Sequence, residues 1–258
     1  MLIDGRRASV CYIDGLLSLE FGGAGSKVDF LTRLDIGVIA IQIAVLLFSL
    51  SLHEAAHAWT ASRWGDHTAR SLGRVTLNPR AHIDPVGTLL FPLLMFAARL
   101  PIIGWARPVP FDPTRLRDPG RAQVYISLAG PASNLAAAGA AFALLALLNL
   151  TLAGSREPIF FLAATMRLPG EASVLGLVAG VLFHLVVINL ALAVFNLIPI
   201  PPLDGHWILY ALLPAGAGAA LRRFGSYGFL LLYLMMFLGM FRFIFIPIDW
   251  MRRLLLAM

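Results

Sequence analysis

The chain has 258 residues, 59% hydrophobic and 13% charged, with a mean hydropathy of +0.81 and a formal net charge of +6. A soluble domain carries about 25% charged and about 45–50% apolar residues, so this composition excludes an ordinary water-soluble globule. Disorder is excluded as well, because there is ample apolar surface to bury.

Residues 1–35 read as an N-terminal juxtamembrane segment of mixed character, with Arg6, Arg7, Asp14, Glu20, Asp29 and Asp35. They lack the basic head, apolar middle and small-residue cleavage site of a signal peptide, so the first apolar helix is expected to act as a retained insertion signal. Cys11 is the single cysteine, which excludes a disulfide framework and a Cys-rich zinc site. Residues 36–64 form the first long apolar stretch. It contains no proline, and a helix of that length at about 1.5 Å per residue spans roughly 44 Å. Its polar residues, including His53, Glu54 and His57, gather in the second half, still at membrane depth.

Residues 65–85 leave the lipid pattern through Gly65-Asp66, Asn78-Pro79 and Asp84-Pro85, and RVTLN at 74–78 suggests a short strand. The apolar stretch 86–98 is short and contains Pro92, which favours a re-entrant or tilted element over a straight crossing. Five prolines in 99–121 prevent a continuous helix. Residues 122–153 are the third stretch, in which Ala132, Ala136, Ala137 and Ala140 suggest a small-residue packing face. A loop is expected over 154–174. The fourth stretch, 175–198, breaks at Pro199, Pro201 and Pro202, and LDGHWILYALL resumes a helical pattern. A fifth stretch covers roughly 224–247, and Trp250 with Arg252-Arg253 marks 248–258 as an interfacial tail.

The fold class expected is therefore all-α: a polytopic membrane helix bundle of about 5 apolar segments, one short and re-entrant, with a small β element in the 65–85 loop. Arg63, Arg70, Arg74 and Arg80 in one loop, and Arg99, Arg107, Arg115, Arg117 and Arg121 in another, put both on the cytoplasmic side by the positive-inside tendency. Cationic residues in such a chain are topology signals, and no basic run supports nucleic-acid binding.

The sharpest local feature is His53-Glu54-Ala55-Ala56-His57. Residues at i and i+4 share a helix face, so two imidazoles can hold one metal ion while the glutamate takes a proton from a metal-bound water. Three ionisable side chains in a lipid-spanning stretch are expensive unless they are paired or functional. A further ligand must be polar and at membrane depth. Asp204, after the proline break, meets both conditions, and His206 two residues on competes with it. Asn196, just ahead of the break, reads either as a substrate or oxyanion partner or as a cap for freed carbonyls. Asn134 and Asn189 carry the same ambiguity with less to favour catalysis. His184 reads as a satisfied packing histidine, and His67 and His82 as loop residues.

HEAAH at 53–57 and NLIPIPPLDG at 196–205 strongly resemble the site-2 protease family of intramembrane zinc metalloproteases, in its compact prokaryotic branch. GDHTARSLGRVTLNPRAHIDPVGTLLFP at 65–92, WARPVPFDP at 105–113 and AGPASN at 129–134 support the likeness over about residues 36–210. The resemblance implies a transmembrane metalloprotease core at 36–247 with one Zn2+ per chain. It makes His53, His57 and Asp204 the metal ligands, Glu54 the catalytic residue and Asn196 a substrate-handling residue. Many relatives have a smaller polar residue where this chain has His206, a candidate for a supporting hydrogen bond beside the metal. The implied substrate is a membrane protein cut within or near a transmembrane segment. The implied location is a prokaryotic inner membrane, multi-pass, with the active site toward the cytoplasm. The rival readings are a membrane metal transporter, for which no second acidic or histidine series is present, and a non-catalytic scaffold binding membrane segments, against which Glu54 weighs.

Overall fold

The computed structural model describes residues 36–97, 104–152, 154–165, 173–214 and 227–258; the N-terminal segment expected at 1–35, Cys11 included, lies outside them. Every regular element among the described residues is helical. The chain runs α1 (Ile36–Arg63), α2 (Thr68–Ser71), a 3-10 turn (Pro79–Ala81), and a π-helical turn (Pro85–Leu90) that continues into α3 (Phe91–Ala97). A second 3-10 turn (Pro113–Arg115) precedes α4 (Pro119–Thr151), α5 (Arg156–Thr165), α6 (Val174–Asn196) and α7 (Gly205–Leu212). The last elements are α8 (Gly228–Phe237), a 3-10 turn (Met240–Ile244) and α9 (Phe245–Ala257).

Three of these helices, α1, α4 and α6, are long and apolar enough to cross a membrane, and they pack on one another as the centre of the bundle. Their starts are readable in local chemistry. Asp118 caps α4 by accepting from Arg121 N at 3.1 Å, with Pro119 in the first turn, and Ser173 caps α6 by accepting from Gly176 N at 2.9 Å. The outer faces carry exposed Leu144, Leu147, Leu150, Leu177 and Val178. Such a continuous apolar exterior suits lipid chains and would be a liability in water. The chain is an integral, multi-pass membrane protein.

The inward face of α4 differs from the one expected. Ala132, Ala136 and Ala140 are exposed and Ala137 is half-buried, whereas Gly130, Asn134, Ala138, Ala141 and Leu145 are buried. Size alone suggested the alanines; the polar Asn134 decides, because an amide facing lipid would lack a partner.

Residues 74–78, expected to include a strand, are irregular, and no strand occurs among the described residues. Their backbone is satisfied otherwise: the Thr76 carbonyl accepts from His82 Nε2 at 2.9 Å, and Asn78 Oδ1 accepts from Arg80 N at 3.1 Å. The 154–174 stretch is not simply a loop, since α5 buries Ile159, Leu162 and Ala163 in the main core. The fifth apolar stretch is broken rather than straight. Gly239, at φ +66°, ends α8, and the two helical halves meet at 85°. The boundary placed at 248 falls inside α9, whose Ile248, Met251 and Leu255 pack with Phe183 of α6 and Leu162 of α5. Arg252 reaches back so that its Nε donates to the Ala163 carbonyl at 2.6 Å, near the end of α5, where a cation complements unpaired carbonyls.

Among the described residues the short apolar helix ends at Ala97, below the length of about 20 residues that a full crossing needs. Asp84 caps it, accepting from Val86 N at 3.0 Å and Gly87 N at 2.7 Å. The segment at 104–107 then ties it down: Trp105 N donates to the Gly87 carbonyl at 3.1 Å and Arg107 N to the His82 carbonyl at 2.7 Å. Trp105 lies so close over Gly87 that a Cβ there would come within 2.2 Å of the indole.

Candidate metal centre

His53 and His57 sit one turn apart on α1 and are buried, 4% and 8% exposed. Their rings meet edge to face at 84°, with the two Nε2 atoms 3.0 Å apart. The third group comes from the far end of the chain. α6 ends at Asn196, and residues 197–204 turn irregularly through the proline series before α7 begins at Gly205. Ile198 and Leu203 anchor this turn against Leu232 of α8. Gly205 permits the fold-back, because a Cβ there would lie 2.3 Å from the Leu197 carbonyl oxygen. Asp204 Oδ2 is thereby placed 3.1 Å from His53 Nε2 and 3.3 Å from His57 Nε2.

The hydrogen bonds behind the rings decide what this cluster is. His57 Nδ1 lies 2.6 Å from the Ile126 carbonyl, which can only accept, so Nδ1 carries the proton. His53 Nδ1 donates to Asn134 Oδ1 at 2.6 Å. In the neutral rings both Nε2 atoms therefore present lone pairs to each other and to a carboxylate oxygen. That oxygen is buried and finds no aligned hydrogen-bond donor. Three electron-rich atoms at 3.0–3.3 Å repel unless a positive charge, a metal ion or a proton, stands among them. Ligand atoms around tetrahedral zinc, at bonds of about 2.0–2.2 Å, are spaced by roughly 3.3 Å. The residues fit a zinc ion, and no other group of three or more His, Cys, Asp or Glu among the described residues is gathered closely enough to hold one.

α4 supplies the remaining wall. Gly130 approaches the imidazoles so closely that a Cβ would be 2.5 Å from His53 Nε2 and 2.5 Å from His57 Nε2. Glu54 is half-buried on α1 between the two ligands in sequence. The other expected residues fall outside the cluster. Asn196 Nδ2 donates to the Leu192 carbonyl, one turn back, at 3.0 Å. His206 Nδ1 donates to the Leu203 carbonyl at 2.5 Å and its ring lies on Trp207. His184 is satisfied within its own helix by the Gly180 carbonyl at 2.8 Å, and His67 pairs with Ser62.

Asp66 is a residue whose importance was not legible in the sequence. Fully buried just beyond α1, it accepts from Asp112 N at 2.6 Å, Thr68 N at 2.9 Å and Thr68 Oγ1 at 2.5 Å. It thus staples the end of the helix bearing both histidines to the segment that leads into α4. Burial by itself raises the Asp66 carboxyl, but the three donated hydrogen bonds outweigh it and hold the group below its ordinary pKa. A carboxyl depressed in the folded state stabilises fully above its unfolded pKa, and the gain disappears as pH falls through the folded value. Asp66→Asn places an NH2 against the Asp112 donor and is expected to cost about 1.5–3 kcal/mol at neutral pH. Thermal unfolding in detergent should show that deficit shrinking as pH drops below about 4; a deficit independent of pH would contradict the assignment.

A model of peptidase family M50 matches residues 41–240, a span that contains both histidines, Gly130 and Asp204. The chain belongs to peptidase family M50. Similar relatives of this M50 protein include the candidate zinc metalloprotease YwhC of Bacillus subtilis (strain 168). The two are 37% identical over 191 residues, covering 73% of this chain and 76% of the relative. The candidate zinc metalloprotease Rip2 of Mycolicibacterium smegmatis is 33% identical over 203 residues, 78% of this chain and 68% of that one. Rip2 of Mycobacterium tuberculosis is 38% identical over 170 residues, 66% of this chain but 56% of its own length. No solved structure matches the chain.

Proposed function

We propose that this M50 protein is an intramembrane zinc endopeptidase that hydrolyses peptide bonds within or near transmembrane segments of membrane proteins. The observation that carries the reading is the convergence of His53, His57 and Asp204 at 3.0–3.3 Å inside a bundle of membrane-crossing helices. In the mechanism proposed, His53, His57 and Asp204 would hold a zinc ion. A zinc ion supplies Lewis acidity, which makes a water acidic enough to deprotonate near neutral pH and polarises a carbonyl. Glu54 accepts a proton from the attacking water as its oxygen bonds to the carbonyl carbon. It delivers that proton to the nitrogen as the C–N bond breaks, leaving a carboxylic acid and an amine.

The substrate must arrive locally unwound, because helical carbonyls are already hydrogen-bonded and shielded. The irregular turn at 197–204, which ends at the ligand Asp204, offers non-helical backbone to an opened substrate strand. The active site is proposed to face the cytoplasm. Arg63 closes, and Arg70, Arg74 and Arg80 follow, the end of α1 that bears the ligands; Arg107, Arg115, Arg117 and Arg121 precede and open α4, with Arg117 N donating to the Trp64 carbonyl at 3.0 Å.

The test is cleavage of single transmembrane segments by the purified protein in proteoliposomes. Cleavage should stop on treatment with a zinc chelator and return with added zinc. Zinc flux across the same vesicles without any cleavage would instead support a transporter.

A further inference from the structure

The three long helices share a fully buried set of amides and a hydroxyl just behind the metal ligands. Asn134 of α4, Asn189 of α6 and Ser49 of α1 are each 0% exposed. Asn134 Nδ2 lies 3.3 Å from the Ser49 carbonyl and 2.7 Å from Asn189 Oδ1. Asn189 Nδ2 lies 2.8 Å from the Leu185 carbonyl and 2.8 Å from Ser49 Oγ. Buried polar groups at membrane depth are costly, so a connected set of this kind calls for a reason.

The reason lies in which atoms can only accept. Backbone carbonyls have no proton to give, so the Ser49 and Leu185 carbonyls each demand an NH2. Asn189 must therefore point its NH2 toward Leu185 and its oxygen toward Asn134. Asn134 must point its NH2 toward Ser49 and Asn189, and both of its protons are then used. Turning either amide over would set oxygen against oxygen. What remains of Asn134 is Oδ1, which faces His53 Nδ1 at 2.6 Å and can only accept. The proton of His53 is thereby held on Nδ1, and its Nε2 is left as a lone pair directed at His57 and Asp204.

We propose that Asn134 is a positioning residue for the metal ligand His53, with Asn189 and Ser49 fixing which way its amide faces. The relay transmits the polarity of two backbone carbonyls to the tautomer of a metal ligand. It resembles in logic the carboxylate or carbonyl partners that hold other metal-binding histidines. His57 obtains the same service directly from the Ile126 carbonyl, so both rings are fixed, one by backbone and one by side chains.

The inference rests on the metal site of the proposed function, and its test reads metal binding so that a failure of proteolysis leaves it intact. The full chain, purified in detergent and stripped of metal, is titrated with Zn2+ against a competing chelator, and with Co2+ while its visible absorption is recorded. Asn134→Leu should weaken Zn2+ binding by roughly 10- to 100-fold and alter the Co2+ bands. A folded Asn134→Leu with wild-type affinity and spectrum would show a packing role only and overturn the proposal. Asn189→Ala frees the Asn134 amide to turn and should give a smaller loss in the same direction. If Asn134→Leu does not fold, an unchanged affinity in Asn189→Ala overturns the proposal instead.

Discussion

Glu54→Gln is expected to keep its zinc and lose peptide-bond cleavage. The substitution preserves size and leaves His53, His57 and Asp204 untouched, but an amide cannot take a proton from water at neutral pH. A positioned general base contributes roughly 100- to 10,000-fold, and here the same carboxylate serves attack and departure. The variant should therefore fall by at least that factor in turnover with metal content unchanged. Metal analysis of the purified variant beside a cleavage assay in proteoliposomes checks both halves. Wild-type turnover in Glu54→Gln would remove Glu54 from the chemistry, and loss of zinc would move it among the ligands.

Gly130→Ala is the second large effect. The added methyl would stand 2.5 Å from His53 Cε1, His53 Nε2 and His57 Nε2. These atoms cannot swing aside freely, because Asn134 and the Ile126 carbonyl hold the backs of both rings at 2.6 Å. Overpacking of this kind costs about 1–3 kcal/mol. If the bundle stays folded, the cost falls on the metal site, and zinc affinity should drop by roughly 5- to 150-fold. Chelator competition with circular dichroism as the folding control measures this. A folded Gly130→Ala protein with wild-type zinc affinity would mean that α4 does not press on the ligands as described.

The contrast between Gly130 and the two histidines shows what was legible beforehand. His53 and His57 were readable because helical geometry turns an i, i+4 spacing into a shared face, and because lipid makes their presence costly. Asp204 was readable for the second reason, together with the proline series beside it. Gly130 was not, and Asn134 was noted without its partner, since a glycine's closeness to a ring and an amide's partner depend on how α4 is rotated. The alanines of that helix pointed to the wrong rotation. Asp66 shows the same limit: Thr68 is close in sequence, but the Asp112 donor becomes its neighbour only after folding.

Elsewhere local signals were overridden by packing. RVTLN had strand-like β-branched residues but no partner edge, so its carbonyls serve a histidine and a turn. α5 is ten residues long and opens with Arg156, Glu157 and Pro158, which resembles a loop until Ile159 and Leu162 find the core. The break between α8 and α9 turns on Gly239, one residue in an almost wholly apolar run.

The most direct test of the account is the zinc content of the purified protein and of Asp204→Ala, measured by mass spectrometry of the metal. One zinc per wild-type chain, with Asp204→Ala largely depleted after dialysis against a weak chelator, is the result expected from two ligands on α1 joined by one from the turn after α6. A wild-type chain that binds no zinc, or an Asp204→Ala chain that holds it as tightly as wild type, would contradict it.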